Sequence, residues 1–251
     1  MTLWTLSTPA FRPLAFTDGL IADQLDKNYP CSMHGLEGRN WRTYEEQGST
    51  FYGFVIEGIA QIEHAEQRIT LRSGTYFAIP DKFFVNLTGG RLLVIKRTGY
   101  RGVFMCGGPV EQKGRLRYID GCTDSLLLPP PKKGDPCLNL LHFPPNIVQT
   151  AHTHPSVRCG IVVRGRGTCW AEGLGSVQLT PGMLWCIETH GPHLFQTKDS
   201  MSELVVIAFH PDSDYGPSDE EHPMLNRTIV EGISARHLDA IRTGDDVEVQ
   251  S

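Results

Sequence analysis

The sequence predicts an all-β protein of two tandem barrels followed by a short C-terminal helix. Three observations predict it: dense punctuation by 26 glycines and 17 prolines, short β-branched and aromatic runs between them, and a strand–turn–strand pattern that occurs twice. Turn residues at such short intervals end each run before a helical period can establish itself. A chain of 251 residues is long enough for two cores.

The repeat is read directly from the residues. Gly53-Phe-Val-Ile-Glu-Gly58 matches Gly160-Ile-Val-Val-Arg-Gly165, and Ile69-Thr-Leu-Arg-Ser-Gly74 matches Val177-Gln-Leu-Thr-Pro-Gly182 with a shift one residue larger. Thr75-Tyr-Phe-Ala-Ile79 then pairs with Met183-Leu-Trp-Cys-Ile187. Each copy is an alternating strand, a glycine turn, a returning strand, a second glycine turn and a run back inward. The chain therefore divides into residues 1–112, a first barrel, and residues 113–251, a second barrel with a helical tail. Gly-Gly-Pro and Lys-Gly within 108–114 mark the linker, and the proline- and lysine-rich stretch 129–136 reads as a surface loop. Residues 211–226 are acidic and contain proline. Residues 228–243 carry Ile233, His237, Leu238 and Ile241 at helical spacing, which predicts one amphipathic helix.

Composition excludes several classes. Apolar residues at 40% and charged residues at 20% are ordinary for a soluble globule. A formal net charge of −5 argues against a nucleic-acid or anionic-membrane partner. The longest apolar run, 204–209, is far short of the roughly 20 residues that span a bilayer. Residues 1–16 hold two prolines and no apolar core, unlike a secretory signal. The seven cysteines lack C-x-x-C spacing, so they read as reduced, buried thiols of a cytoplasmic protein. A functional thiol at Cys159 and a disulfide such as Cys122 with Cys137 are the alternatives.

The chemistry-bearing pattern lies in the second half. His152 and His154, at i and i+2, share one face of an extended strand, and His193 follows a Pro-Gly turn and one more strand, so it can fold back onto that face. Three neutral imidazoles meeting at a point make a divalent transition-metal site with open positions. Arg158 shares parity with Gly160 and Val162, which aims it into the barrel. There it can bind a substrate carboxylate or phosphate through its fork; the plainer reading is a surface or ion-paired arginine at the barrel mouth. Beside a dication, a second buried cation calls for an anion, which favours an anionic substrate. Met183, Trp185 and Ile187 alternate along the returning strand, and with Phe195 they make an apolar wall. His34, His64, His142, His210, His222 and His237 read as structural or surface residues.

These residues resemble the cupin superfamily, and their tandem arrangement resembles a bicupin. The first cupin motif corresponds to His152-Thr-His154, Pro155, Ser156, Val157, Arg158 and Gly165, and the second to Pro181-Gly182, Met183 to Ile187, and His193. Two positions depart from it. Arg158 stands where the family has a carboxylate ligand, and Glu188-Thr189-His190 stands where it has Pro-Pro-Gly. A guanidinium cannot ligate a metal, so the resemblance implies a three-histidine site of the kind found in thiol and diketone dioxygenases. Glu188 or His190 is a candidate fourth ligand or proton-transfer base. Through the internal repeat, the positions of His152, His154, Arg158 and His193 fall on Glu45, Gln47, Phe51 and Val85, which predicts a first barrel without a comparable metal site.

The resemblance implies jelly-roll barrels, one divalent metal (iron(II) ahead of manganese, nickel or zinc), a small-molecule substrate and a homodimer. The leading expectation is a mononuclear non-haem iron dioxygenase for a small anionic or thiol-bearing molecule, with Arg158 holding its acidic end. The alternatives are a non-redox isomerase, lyase or hydrolase, and a ligand-binding protein without turnover.

Overall fold

The computed structural model describes residues 9–198 and 202–243. The remaining residues, including the start of the 1–16 segment, lie outside the described part. The strands are β1 (Phe11–Leu14), β2 (Gly19–Ala22), β3 (Cys31–His64), β4 (Gln67–Arg72), β5 (Tyr76–Arg97) and β6 (Met105–Gly107) in the first half. The second half continues with β7 (Leu116–Arg117), β8 (Thr123–Leu128), β9 (Cys137–Phe143), β10 (Arg158–Gly165), β11 (Gly167–Ala171), β12 (Gly175–Leu179), β13 (Leu184–Ile187), β14 (His193–Gln196) and β15 (Leu204–His210). The fold is the expected nearly all-β one, and all strand pairing is antiparallel.

The first unit is a five-stranded sheet, β2-β3-β5-β6 with β4 on β3. β3 is 34 residues long and bends through several bulges, so Thr50 pairs with both Pro80 and Arg97 of β5. The second unit is a seven-stranded sheet, β1-β13-β10-β15-β9-β8-β7, facing a three-stranded sheet, β12-β11-β14.

The two copies of the repeat build the same local contacts. Gly53 sits opposite Phe77 and Gly160 opposite Trp185. A Cβ on Gly53 would lie 2.0 Å from the Phe77 ring, and one on Gly160 would lie 1.8 Å from the Ile207 carbonyl and 3.1 Å from the indole. The missing side chain in each copy lets a large ring cross the barrel. Gly58 and Gly165 adopt φ of 89° and 79°, and each approaches a facing backbone carbonyl too closely for a Cβ.

Strand alternation sorts the core into three clusters. Phe51, Val55, Phe77, Phe83, Val85 and Leu92 fill the first unit. Phe11, Phe143, Val162, Trp185, Phe195 and Val206 fill the second. The opposite faces of the same strands, with Tyr52, Phe54 and Leu93 against Cys159, Ile161 and Phe209, join the two units.

Two expectations need correction. β1, inside the segment assigned to the first barrel, pairs with β13 of the second, Phe11 opposite Ile187 and Leu14 opposite Leu184. The division at residue 112 is thus crossed by the chain's first strand. The helix expected over 228–243 does not form. A five-residue helix, α1 (Pro223–Arg227), precedes a hairpin of β16 (Ile229–Val230) and β17 (Ile233–Ser234) and two 3₁₀ turns at Ala235–His237 and Asp239–Ile241. Gly232, at φ 83°, breaks the period. Ile229, Ile233 and Ile241 stay exposed, so no buried stripe stabilises a longer helix. Among the described residues no helix is long and apolar enough to cross a membrane. All seven cysteines are unpaired, including Cys122 and Cys137, and only Cys106 is exposed.

Candidate metal centre

His152, His154 and His193 come together in the second unit, with one ligand atom from each inside a common 4.8 Å. The first two lie in the irregular segment before β10 rather than within a strand. His152 forms a one-residue bridge to His193, its N–H donating to the His193 carbonyl and the reverse, both at 3.0 Å. The His190 N–H donates to the His154 carbonyl at 2.8 Å. Three backbone hydrogen bonds therefore clamp the loop bearing two histidines to the one bearing the third. The ring centroids are 4.5 to 5.1 Å apart.

Ring orientation follows from neighbouring carbonyls. His152 Nδ1 donates to Thr150 O at 2.8 Å and His193 Nδ1 to Gly191 O at 2.9 Å. Both rings are thereby held in the tautomer whose Nε2 lone pair is free. The Nε2 of His193, a fully buried residue, has no hydrogen-bond partner. A buried nitrogen left bare carries a desolvation penalty that a metal ion would remove. Burial, reinforced by Arg158 and the other two imidazoles, pushes His154 down to about 3. Burial also pushes His193 down to about 4, against the opposing pull of Gly191 O. Both are neutral near pH 7, the form that ligates. The donor set fits a divalent transition metal.

The three histidines line a cavity of about 60 Å³. Leu141, Phe143, Trp185, Ile187, Phe195 and Ala208 make its apolar side. Arg158 lines it as well and is 8% exposed. Its Nη1 donates to the Val157 carbonyl at 3.0 Å, to the Ser156 carbonyl at 3.3 Å and to the Ser156 hydroxyl, and lies 3.3 Å from Asp212. The cavity and the ion-pair readings of Arg158 therefore hold together: one nitrogen is anchored, while Nε is buried without a partner.

Glu188 and His190 are not brought to the cluster. Glu188 accepts from Arg12 Nε at 2.6 Å, because β1 docks beside β13 and delivers that guanidinium. His190 stands exposed at φ 58° in the turn, contributing its backbone to the clamp. Tyr118, Asp124, Asn139 and Gln149, none of them singled out by the sequence, also line the cavity, as does His210, expected from the sequence to be structural or at the surface. His210 lies 6.4 Å from the His154 ring, and burial drives it well below its ordinary value. Burial also raises Asp124. Parity along Val206, Ala208 and His210 was the available signal, since Ala208 pairs with Gly160. His142 is structural, bonded to Glu203 at 3.1 Å.

In the first unit Phe51 and Val85 are buried in hydrocarbon, with Phe83 5.6 Å from Phe51. Glu45 pairs with Lys82 at the surface. His34 bonds Ser32 at 2.8 Å, and His64 donates to Lys82 O at 2.8 Å.

Residues 139–210, which hold the whole triad, match the family model described as the cupin domain. No curated protein matches the sequence. Among solved structures, a cupin 2 conserved barrel domain protein from Leptotrichia buccalis is similar at 12% identity and TM-score 0.55, over 81% of this chain and 88% of that one. A variant of salicylate 1,2-dioxygenase from Pseudoaminobacter salicylatoxidans is similar at 12% identity and TM-score 0.54, over 72% and 71%. Oxalate decarboxylase from Lactobacillus farciminis is similar at 10% identity and TM-score 0.54, over 83% and 88%. The fold is thus that of the cupins.

Proposed function

We propose that this protein is a metal-dependent bicupin enzyme, and that its second barrel holds iron(II) and oxidises a small organic anion with dioxygen. The observation that carries the reading is the triad itself, with the partnerless Nε2 of His193 in its midst. His152, His154 and His193 would hold the ion. When bound, iron(II) on three imidazoles supplies open coordination positions and one-electron chemistry toward dioxygen.

This chain's own residues do the remainder. Arg158 presents an unused Nε–H to the acidic end of the substrate. Phe143, Phe195 and Ile187 keep water from the cavity. The carbonyls of Thr150 and Gly191 fix the ligand rings. The likeness to a salicylate dioxygenase favours a carboxylate substrate, and the first unit serves as scaffold and dimer partner. Six buried and wholly unpaired thiols fit a reducing, cytoplasmic compartment.

The test is oxygen uptake by iron-loaded protein across a set of small carboxylic acids and thiols, alongside elemental analysis of untagged protein. Uptake with at least one of them, lost in His193→Ala, supports the reading. A second reading has its own support: Asp124, made a weaker acid by burial, lines the cavity where a non-redox lyase or isomerase would move a proton. Zinc, manganese or nickel in the purified protein, with no oxygen uptake, selects it.

A further inference from the structure

Five buried side-chain polar atoms among the described residues have no hydrogen-bond partner, and four of them belong to residues lining this one cavity. His193 Nε2 is explained by a metal. The other three are Arg158 Nε, Trp185 Nε1 and Asn139 Oδ1, on residues 8%, 1% and 7% exposed. Unpaired buried polar atoms are rare and costly. Three more on one small cavity describe the ligand they lack.

Arg158 Nε–H and Trp185 Nε1–H are donors, whereas Asn139 Oδ1 is an acceptor. The missing molecule therefore offers oxygen acceptors toward Arg158 and Trp185, and an O–H, N–H or S–H donor toward Asn139. Charge points the same way. Arg158 is faced by Asp212, at 3.3 Å, and by the cavity carboxylate of Asp124. One cation against two carboxylates becomes one net positive charge once a dication joins, and a monoanion neutralises it. Size sets the scale: about 60 Å³ has room for about four waters. The cavity shares Asp124, Asn139, Arg158 and His210 with an outer cleft of about 370 Å³, so the polar wall lies on the way in from solvent.

We propose that Arg158, Trp185 and Asn139 form a cradle for a compact monocarboxylate bearing a hydrogen-bond donor beside its carboxyl group. The carboxylate accepts from Arg158 and Trp185, and the neighbouring donor group is read by Asn139. This assignment rests on the metal-centre reading above for its catalytic meaning and for the positive charge a dication adds. The hydrogen-bonding groups are the protein's own, so metal-free protein keeps the same preference between acids while binding each more weakly.

Calorimetric titration with acetate and with glycolate, which adds one hydroxyl donor, tests it on metal-free and on zinc-loaded protein. Glycolate is expected to bind more tightly than acetate in both forms. Trp185→Phe, which keeps the ring, should weaken both acids about tenfold. Asn139→Leu should weaken glycolate about tenfold and leave acetate within about twofold. If Trp185→Phe does not fold, the glycolate preference of the native protein and its loss in Asn139→Leu still decide the matter. Protein that loads zinc yet binds neither acid overturns the cradle and leaves the metal centre standing. Protein that refuses zinc but shows the expected pattern upholds the cradle and removes the metal centre. Equal binding of both acids, or variants that bind as the native protein does, overturns the proposal.

Discussion

At the scale of single residues, the centre depends on neutral imidazoles in a dry place. His154 and His193 titrate well below the ordinary 6.5, so the unfolded chain takes up protons that the folded protein refuses. Between about pH 3 and 6.5 stability therefore rises with pH and is lost as pH falls. Thermal melts of metal-free protein should show the midpoint dropping steadily from pH 7 to pH 4. The drop should shrink in a His154→Phe, His193→Phe double variant, and an unchanged pH dependence there would contradict the assignment. Metal content separates the clustered histidines from their sequence neighbours. His152→Ala and His193→Ala should each weaken metal binding by more than the roughly 10- to 100-fold typical of lost supporting contacts. Glu188→Gln and His190→Ala should leave metal content near the native value, because Arg12 holds the one side chain and the other is exposed.

Elements carry the next level of argument. Gly160 is where a strand gives up its side chain so that Trp185 can lie across the barrel. Gly160→Ala forces a Cβ into the Ile207 carbonyl, and overpacking of this kind costs about 1–3 kcal/mol or more. Urea unfolding should show that loss with an unchanged m-value. β1 matters out of proportion to its four residues. It covers the edge of β13, buries Phe11 completely and delivers Arg12 to Glu188. Phe11→Ala should destabilise by about 3–5 kcal/mol, measured on the same unfolding curve.

For the whole molecule, the two units are joined by an apolar face and by the exchanged β1. Residues 113–251 expressed alone would expose Ile161, Ile207 and Phe209 and leave the β13 edge bare. That fragment is expected to aggregate, read by light scattering, and a soluble two-state monomer would contradict the shared core. The same topology explains what reading the chain could reach. Alternation, the glycine repeat and the His-x-His spacing are local or periodic, so the β-class, the doubled pattern and the three converging histidines were legible. Hidden were the partners that arrive from distant strands: Arg12 for Glu188, Asp212 for Arg158, and Asn139 and His210 for the cavity. The 228–243 segment failed for a related reason, since helical spacing without a surface to bury against does not make a helix.

By itself, then, the order of residues determined which side chains face inward, because a strand's two-residue period is a property of the backbone. It also put hydrocarbon, at Phe51 and Val85, where the matching positions of the second half carry Arg158 and His193. Only the tertiary structure decided which inward groups meet. Pairing register and the packing of sheet on sheet set distances between residues far apart in the chain. Those distances leave His193 Nε2, Arg158 Nε, Trp185 Nε1 and Asn139 Oδ1 without partners around one small space.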